Sequence, residues 1–131
     1  MKEEYINKEM KILVVDDFPA MRSLLRGMLQ GLGFSNIEEA EDGKIALDKI
    51  QSEEFNFIIS DWNMPNMMGM ELLFAVRAGQ TTKALPFLLV TPKTQEDKVR
   101  EKVNAEATAL IVKPFTAETI ESKIVQIFSG Q

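Results

Sequence analysis

The sequence predicts an α/β fold: five parallel strands, doubly wound, with helices covering both faces of the sheet. Three observations predict it. Short apolar runs alternate five times with segments of helical period along the 131 residues. The runs at 12–15, 57–59 and 87–90 are almost wholly apolar, as fits strands buried on both sides. Four runs also end in polar residues: Asp16 and Asp17, Asp61, Thr91, and Lys113. If these strands are neighbours, those ends meet at one edge of the sheet, where open α/β sheets bind ligands.

Each element has its own signal. Lys11-Ile12-Leu13-Val14-Val15 reads as the first strand. Met21, Leu24, Leu25, Met28, Leu29 and Leu32 then form a helical stripe. Asp17 is expected to cap that helix, Pro19 to lie in its first turn, and Gly33 to stop it. The second strand, about Asn36 to Ala40, is more polar and is expected at an edge. Asp42-Gly43 marks a turn, and Ala46, Leu47 and Ile50 stripe a second helix. The third strand closes at Ser60 and Asp61, followed by a loop from Trp62 to Asn66 and a helix carrying Leu72, Leu73 and Val76. The fourth strand ends at Thr91, and the helix after it is polar, with Val99 and Val103 as its clear anchors. The fifth, Ala109-Leu110-Ile111-Val112, precedes Lys113 and a helix with Ile120, Ile124, Ile127 and Phe128. Residues 1–9 are polar and read as a loose leader, so the domain is expected over 10–131.

Composition narrows the function. The length suits one domain with a real core. A net charge of −5 argues against direct nucleic-acid binding, which needs clustered Lys and Arg. No cysteine is present, which excludes disulfides, thiolate chemistry and Cys-based zinc sites. No histidine is present either, which removes any Ser-His-Asp triad and any phosphohistidine on this chain. No apolar stretch approaches the ~20 residues of a membrane span. The N-terminus lacks a signal peptide's apolar core, so a cytoplasmic location without membrane insertion is expected.

Taken singly, the strand-end residues have ordinary explanations: Asp16-Asp17 as a cap or turn, Asp61 as a turn residue, Thr91 as a local cap, Lys113 as a solvated charge. Their joint placement points to a site. Three crowded carboxylates raise one another's pKa unless cations intervene. Lys113 is one such cation, and Mg²⁺, which favours oxygen ligands, is the expected other. A carboxylate can be a nucleophile toward phosphorus, and phosphoryl transfer needs mainly positioning and charge neutralisation. Thr91 would offer a hydroxyl to a phosphoryl oxygen.

Four segments carry a resemblance to a known family. Val14-Val15-Asp16-Asp17-Phe18, Ser35 to Gly43, Ile59 to Met67, and Val112-Lys113-Pro114-Phe115-Thr116 resemble response-regulator receiver domains, most nearly the single-domain chemotaxis members. The likeness runs from about Met10 to Phe128. It implies a flavodoxin-like (βα)5 sheet of order 2-1-3-4-5. It implies that Asp61 accepts a phosphoryl group from a histidine kinase of the CheA type. By the same resemblance, Asp17, Asp61 and the Asn63 backbone carbonyl ligate Mg²⁺, and Asp16 holds the metal through water. Lys113 pairs with the phosphoryl group and Thr91 swings toward it. The Lys113-Pro114 peptide is expected to be cis. The output face would be the fourth helix, fifth strand and fifth helix, including Val99, Val103, Leu110 and Lys123, and its partner a flagellar motor switch protein or another regulator. A monomer is expected.

The chain departs from these relatives on the switch side. Leu110 stands where an aromatic is usual, and is expected to pack in one place. Pro92 follows Thr91 and lacks the N–H that family members offer the phosphoryl group. Glu106 and Ala109 replace glycines. The same chemistry with an atypical output, a phosphate sink or a non-motor partner, therefore stands beside the chemotaxis reading. An Asp-nucleophile phosphatase is a remote alternative, because Asn63 occupies the position where such enzymes need a general acid. The methionines around Pro65 to Met70 read as loop and helix packing in preference to a soft partner surface.

Overall fold

The structure, a computed structural model, describes residues 6–103 and 107–129. Five strands, β1 (Ile12–Val15), β2 (Ile37–Ala40), β3 (Phe57–Asp61), β4 (Phe87–Pro92) and β5 (Ala109–Lys113), alternate with five helices. The helices are α1 (Pro19–Gly31), α2 (Gly43–Ser52), α3 (Gly69–Ala78), α4 (Glu96–Val103) and α5 (Ala117–Ser129). The strands are parallel and ordered β2-β1-β3-β4-β5. The expected order and the edge position of the second strand are both found.

Period-two alternation divides the core into two layers. Ile12, Val14, Phe57, Ile59, Leu88, Val90 and Ile111 face α1 and α5, meeting Leu25, Leu29, Ile120 and Ile124. Leu13, Val15, Ile58, Phe87, Leu89 and Leu110 face the other way, onto Ala46, Ile50, Leu72, Leu73, Val76, Val99 and Val103. β2 stays polar because its glutamates are paired, one on each side. Glu38 lies 3.2 Å from both Lys11 and Lys49, and Glu39 takes Arg22 and Arg26 at 3.0 and 2.6 Å. Charges on an edge strand also discourage pairing with another chain.

Two local readings need correction. Asp17 does not cap α1: the helix starts at Pro19, so Phe18 is the N-cap residue and provides no side-chain bond. Asp16 Oδ1 instead accepts the Phe18 N–H at 2.9 Å. Residues 6–9 are not a loose leader. Ile6 is buried in the core, and Lys8 donates to the Leu32 carbonyl at 2.8 Å and sits 4.7 Å above the Phe34 ring. Residues 1–5 lie outside the described residues. At the end of α1, Gly33 takes φ +102°, and the Phe34 N–H reaches back to the Leu29 carbonyl, the left-handed stop that the glycine predicted.

Candidate functional site

Strand register builds the site. Val15 pairs with Ser60, Asp61 with Val90, Thr91 with Val112, and Pro92 with Lys113. The C-terminal ends of β1, β3, β4 and β5 therefore form one row, and Asp16 and Asp17 follow β1 directly. One carboxylate oxygen each from Asp16, Asp17 and Asp61 lie within 4.8 Å of one another. Lys113 Nζ is 3.1 Å from Asp61 Oδ1. This is an ion pair without hydrogen-bond alignment, because that oxygen has no aligned donor.

Asp16 and Asp61 are buried, at 1% and 5% exposure. Burial is the main force raising both carboxyl pKa values. For Asp16, the Phe18 N–H opposes the rise and the charge of Asp61 adds to it. For Asp61, Lys113 opposes the rise and the charge of Asp17 adds to it. Among the described residues, three acids thus share one nearby ammonium, and the buried Oδ1 atoms of Asp17 and Asp61 lack hydrogen-bond partners. Orphaned, closely set carboxylate oxygens fit a small hard divalent cation, which would take oxygen ligands and supply the missing charge.

The supporting frame is close-packed. The Trp62 carbonyl accepts the Gly69 N–H at 2.9 Å, which brings α3 against the end of β3. A Cβ on Gly69 would stand 2.1 Å from the Asp61 carbonyl oxygen, so only glycine fits there. Asn66, at φ +70°, donates to Asp42 Oδ2 at 2.9 Å and ties the loop after β3 to the start of α2. Asp42 Oδ1 accepts the Ile45 N–H at 2.8 Å, so the residue read as part of a turn also caps α2. Neither Asn66 nor Gly69 was singled out by sequence reasoning as holding the site. The turn-forming Pro-Asn and the glycine opening α3 were the available signals.

The remaining candidates divide. Asn63 is exposed in the loop directly after β3. Thr91 is fully buried, its hydroxyl 3.3 Å from the Pro92 carbonyl, a long contact. The Lys113-Pro114 bond is cis as expected. Leu110 is buried against the α2–α4 layer. Val99 and Val103 are a correction: at 1% exposure they anchor α4 in the core and present nothing to a partner. Lys123 instead lines an open groove of about 340 Å³ with Arg100, Thr108, Leu110 and Gln126. Glu106 lies outside the described residues. Met64 is buried, and Met67 and Met70 pack on the core, which supports the packing reading of the methionines.

Comparison with known proteins gives this geometry a context. Residues 12–125 match the family model described as response regulator receiver domain. The chain is 44% identical over 126 residues to chemotaxis protein CheY-3 of Vibrio cholerae, covering 96% of this chain and 97% of that protein. It is 47% identical over 119 residues to chemotaxis protein CheY of Pseudomonas aeruginosa, covering 91% and 96%. Among solved structures, chemotaxis response regulator CheY4 of Vibrio cholerae superposes with a TM-score of 0.83 at 38% identity, over 92% of this chain and 99% of that one.

Proposed function

The chain belongs to the response regulator receiver domain family, and on that premise we propose that it is a phospho-acceptor regulator of a chemotaxis-type two-component pathway. In this reading Asp61 takes a phosphoryl group from a phosphohistidine on a kinase of the CheA type. A carboxylate oxygen of Asp61 forms the new bond to phosphorus. The phosphorus–nitrogen bond breaks, and the imidazole leaves with its electron pair and takes up a proton. Asp17, Asp61, the Asn63 carbonyl and, through water, Asp16 would hold Mg²⁺. The metal, when bound, would neutralise the phosphoryl oxygens. Lys113 pairs with the transferred group, and the Thr91 hydroxyl turns toward it. Beyond its own phosphorylation and the hydrolysis that reverses it, the chain catalyses nothing. It acts as a cytoplasmic monomer.

The observation that carries this reading is Asp61 itself: a buried carboxylate 3.1 Å from a lysine and clustered with two further acids, one of which, Asp17, has a buried oxygen with no hydrogen-bond partner among the described residues. The test is transfer from a phosphorylated CheA-type kinase, read by intact-mass spectrometry. A single phosphoryl adduct that needs Mg²⁺ and disappears in D61N is expected. An adduct that persists in D61N would overturn the assignment.

One set of observations favours the altered-output form of this reading. Pro92 continues β4, in register with Lys113, and Leu110 is packed into the core. A strand-bound proline without an N–H removes one donor from the phosphoryl group and stiffens the segment that must move. Binding to a motor-switch peptide, with and without a phosphoryl mimic, separates the outputs. Phosphoryl-dependent binding supports a flagellar motor partner; none supports a phosphate sink or another regulator.

A further inference from the structure

Arg22, on the first turn of α1, is the cation with the most direct hold on the acid pair's backbone. Its Nη1 donates to the Asp16 carbonyl at 2.7 Å. That carbonyl belongs to the peptide joining Asp16 to Asp17. The guanidinium side chain is only 16% exposed, and its Nε lies 3.0 Å from Glu39 Oε1. The other oxygen of Glu39 takes Arg26 Nε at 2.6 Å, and Arg26 Nη2 donates to the Ile37 carbonyl at 3.0 Å. A brace therefore runs from the backbone of β2, through Arg26, Glu39 and Arg22, to the Asp16–Asp17 peptide.

The two acids are held differently. Asp16 has its N–H on the Ala40 carbonyl at 3.1 Å and its carboxylate on the Phe18 N–H at 2.9 Å. Asp17 does not cap α1, and its buried Oδ1 has no hydrogen-bond partner among the described residues. The aim of the Asp17 carboxylate thus depends on its backbone, and the peptide before it is clamped by Arg22. We infer that Arg22, braced by Glu39, is a positioning residue that aims Asp17 into the metal-binding cluster. The inference rests on the metal-assisted reading of the site.

The sign of the effect separates positioning from simple electrostatics. Deleting a cation near three carboxylates would tighten binding of a divalent ion, whereas a lost clamp would loosen it. Mg²⁺ affinity of the full chain, read by Trp62 fluorescence, is the test, with thermal melts confirming that each variant folds. R22A is expected to weaken Mg²⁺ binding about tenfold, the usual scale for a lost outer-shell partner. R22K, with one ammonium for two acceptors, is expected to lie between R22A and wild type. R26A, which leaves the Asp16 clamp in place, is expected to stay within about twofold of wild type. A folded R22A that binds Mg²⁺ as tightly as wild type, or more tightly, overturns the inference. If R22A does not fold, R22K decides it, and wild-type affinity there overturns it. A wild type with no metal response overturns the metal-assisted reading, and the inference with it.

Discussion

Asp61 carries an uncomfortable charge. Burial raises its pKa above the ordinary 3.8, even against Lys113. The native state therefore keeps its proton to higher pH than the unfolded chain does, and unfolding releases that proton across the interval. Stability consequently falls as pH rises through the interval. Without metal, D61N is expected to melt a few degrees above wild type at neutral pH, about 1 kcal/mol for a domain of this size. The advantage should shrink as pH falls toward the ordinary carboxylate range. With Mg²⁺ near a hundredfold above the wild-type Kd, binding would stabilise wild type by about 2.7 kcal/mol and D61N, which lacks one carboxylate of the cluster, by less, so the order should reverse. Thermal melts at two pH values, with and without Mg²⁺, check both statements. Gly69 gives a second prediction at this scale. An alanine Cβ 2.1 Å from the Asp61 carbonyl must push β3 and α3 apart, so G69A should cost about 1–3 kcal/mol in a urea melt and slow phosphoryl uptake. The acids and Lys113 were legible in the sequence because each ends an apolar run. Arg22 was not: it interrupts the α1 stripe as an ordinary helix charge would, and its reach to the Asp16 carbonyl exists only once β1 and α1 are folded together.

Helices and loops set how the site responds. α3 begins poorly: Met68 is its N-cap residue, and although Glu71 accepts the Met68 N–H at 2.9 Å, methionine offers the helix no oxygen in return. M68D should complete the cap and stabilise the protein by about 1 kcal/mol, read from the denaturation midpoint at unchanged slope. In the segment after β4, P92A restores an N–H and loosens Thr91. In the altered-output reading, it should lengthen the phosphoryl lifetime and enlarge the conformational response. Unchanged uptake, lifetime and response would remove Pro92 from the explanation. Sequence periodicity located all five helices, because each buries a stripe. It misjudged what α4 displays. Val99 and Val103 were its only apolar anchors, and a polar helix with so few must turn both inward. It also misplaced the cap of α1, since one residue of offset decides whether Asp17 or Phe18 stands before the helix.

At the scale of the whole molecule, alternation along each strand divides the core into two layers, and the polar residues that close the strands gather at one edge of the sheet. That much was legible from five apolar runs and the residues that close them. The strand order came from family likeness, since spacing does not fix which strands are neighbours. The packing of residues 6–9 went unread because one isoleucine in a polar stretch gives no periodic signal, although Ile6 joins the core. The proposed function depends on Asp61 accepting a phosphoryl group in a metal-dependent site. Trp62, the only tryptophan, follows that residue directly. The most direct test is its fluorescence through a Mg²⁺ titration, followed by addition of a small phosphodonor, with D61N in parallel. A saturable response to metal is expected, with a further change on adding donor that is absent in D61N. No response to either addition, or a donor response that survives in D61N, would contradict it.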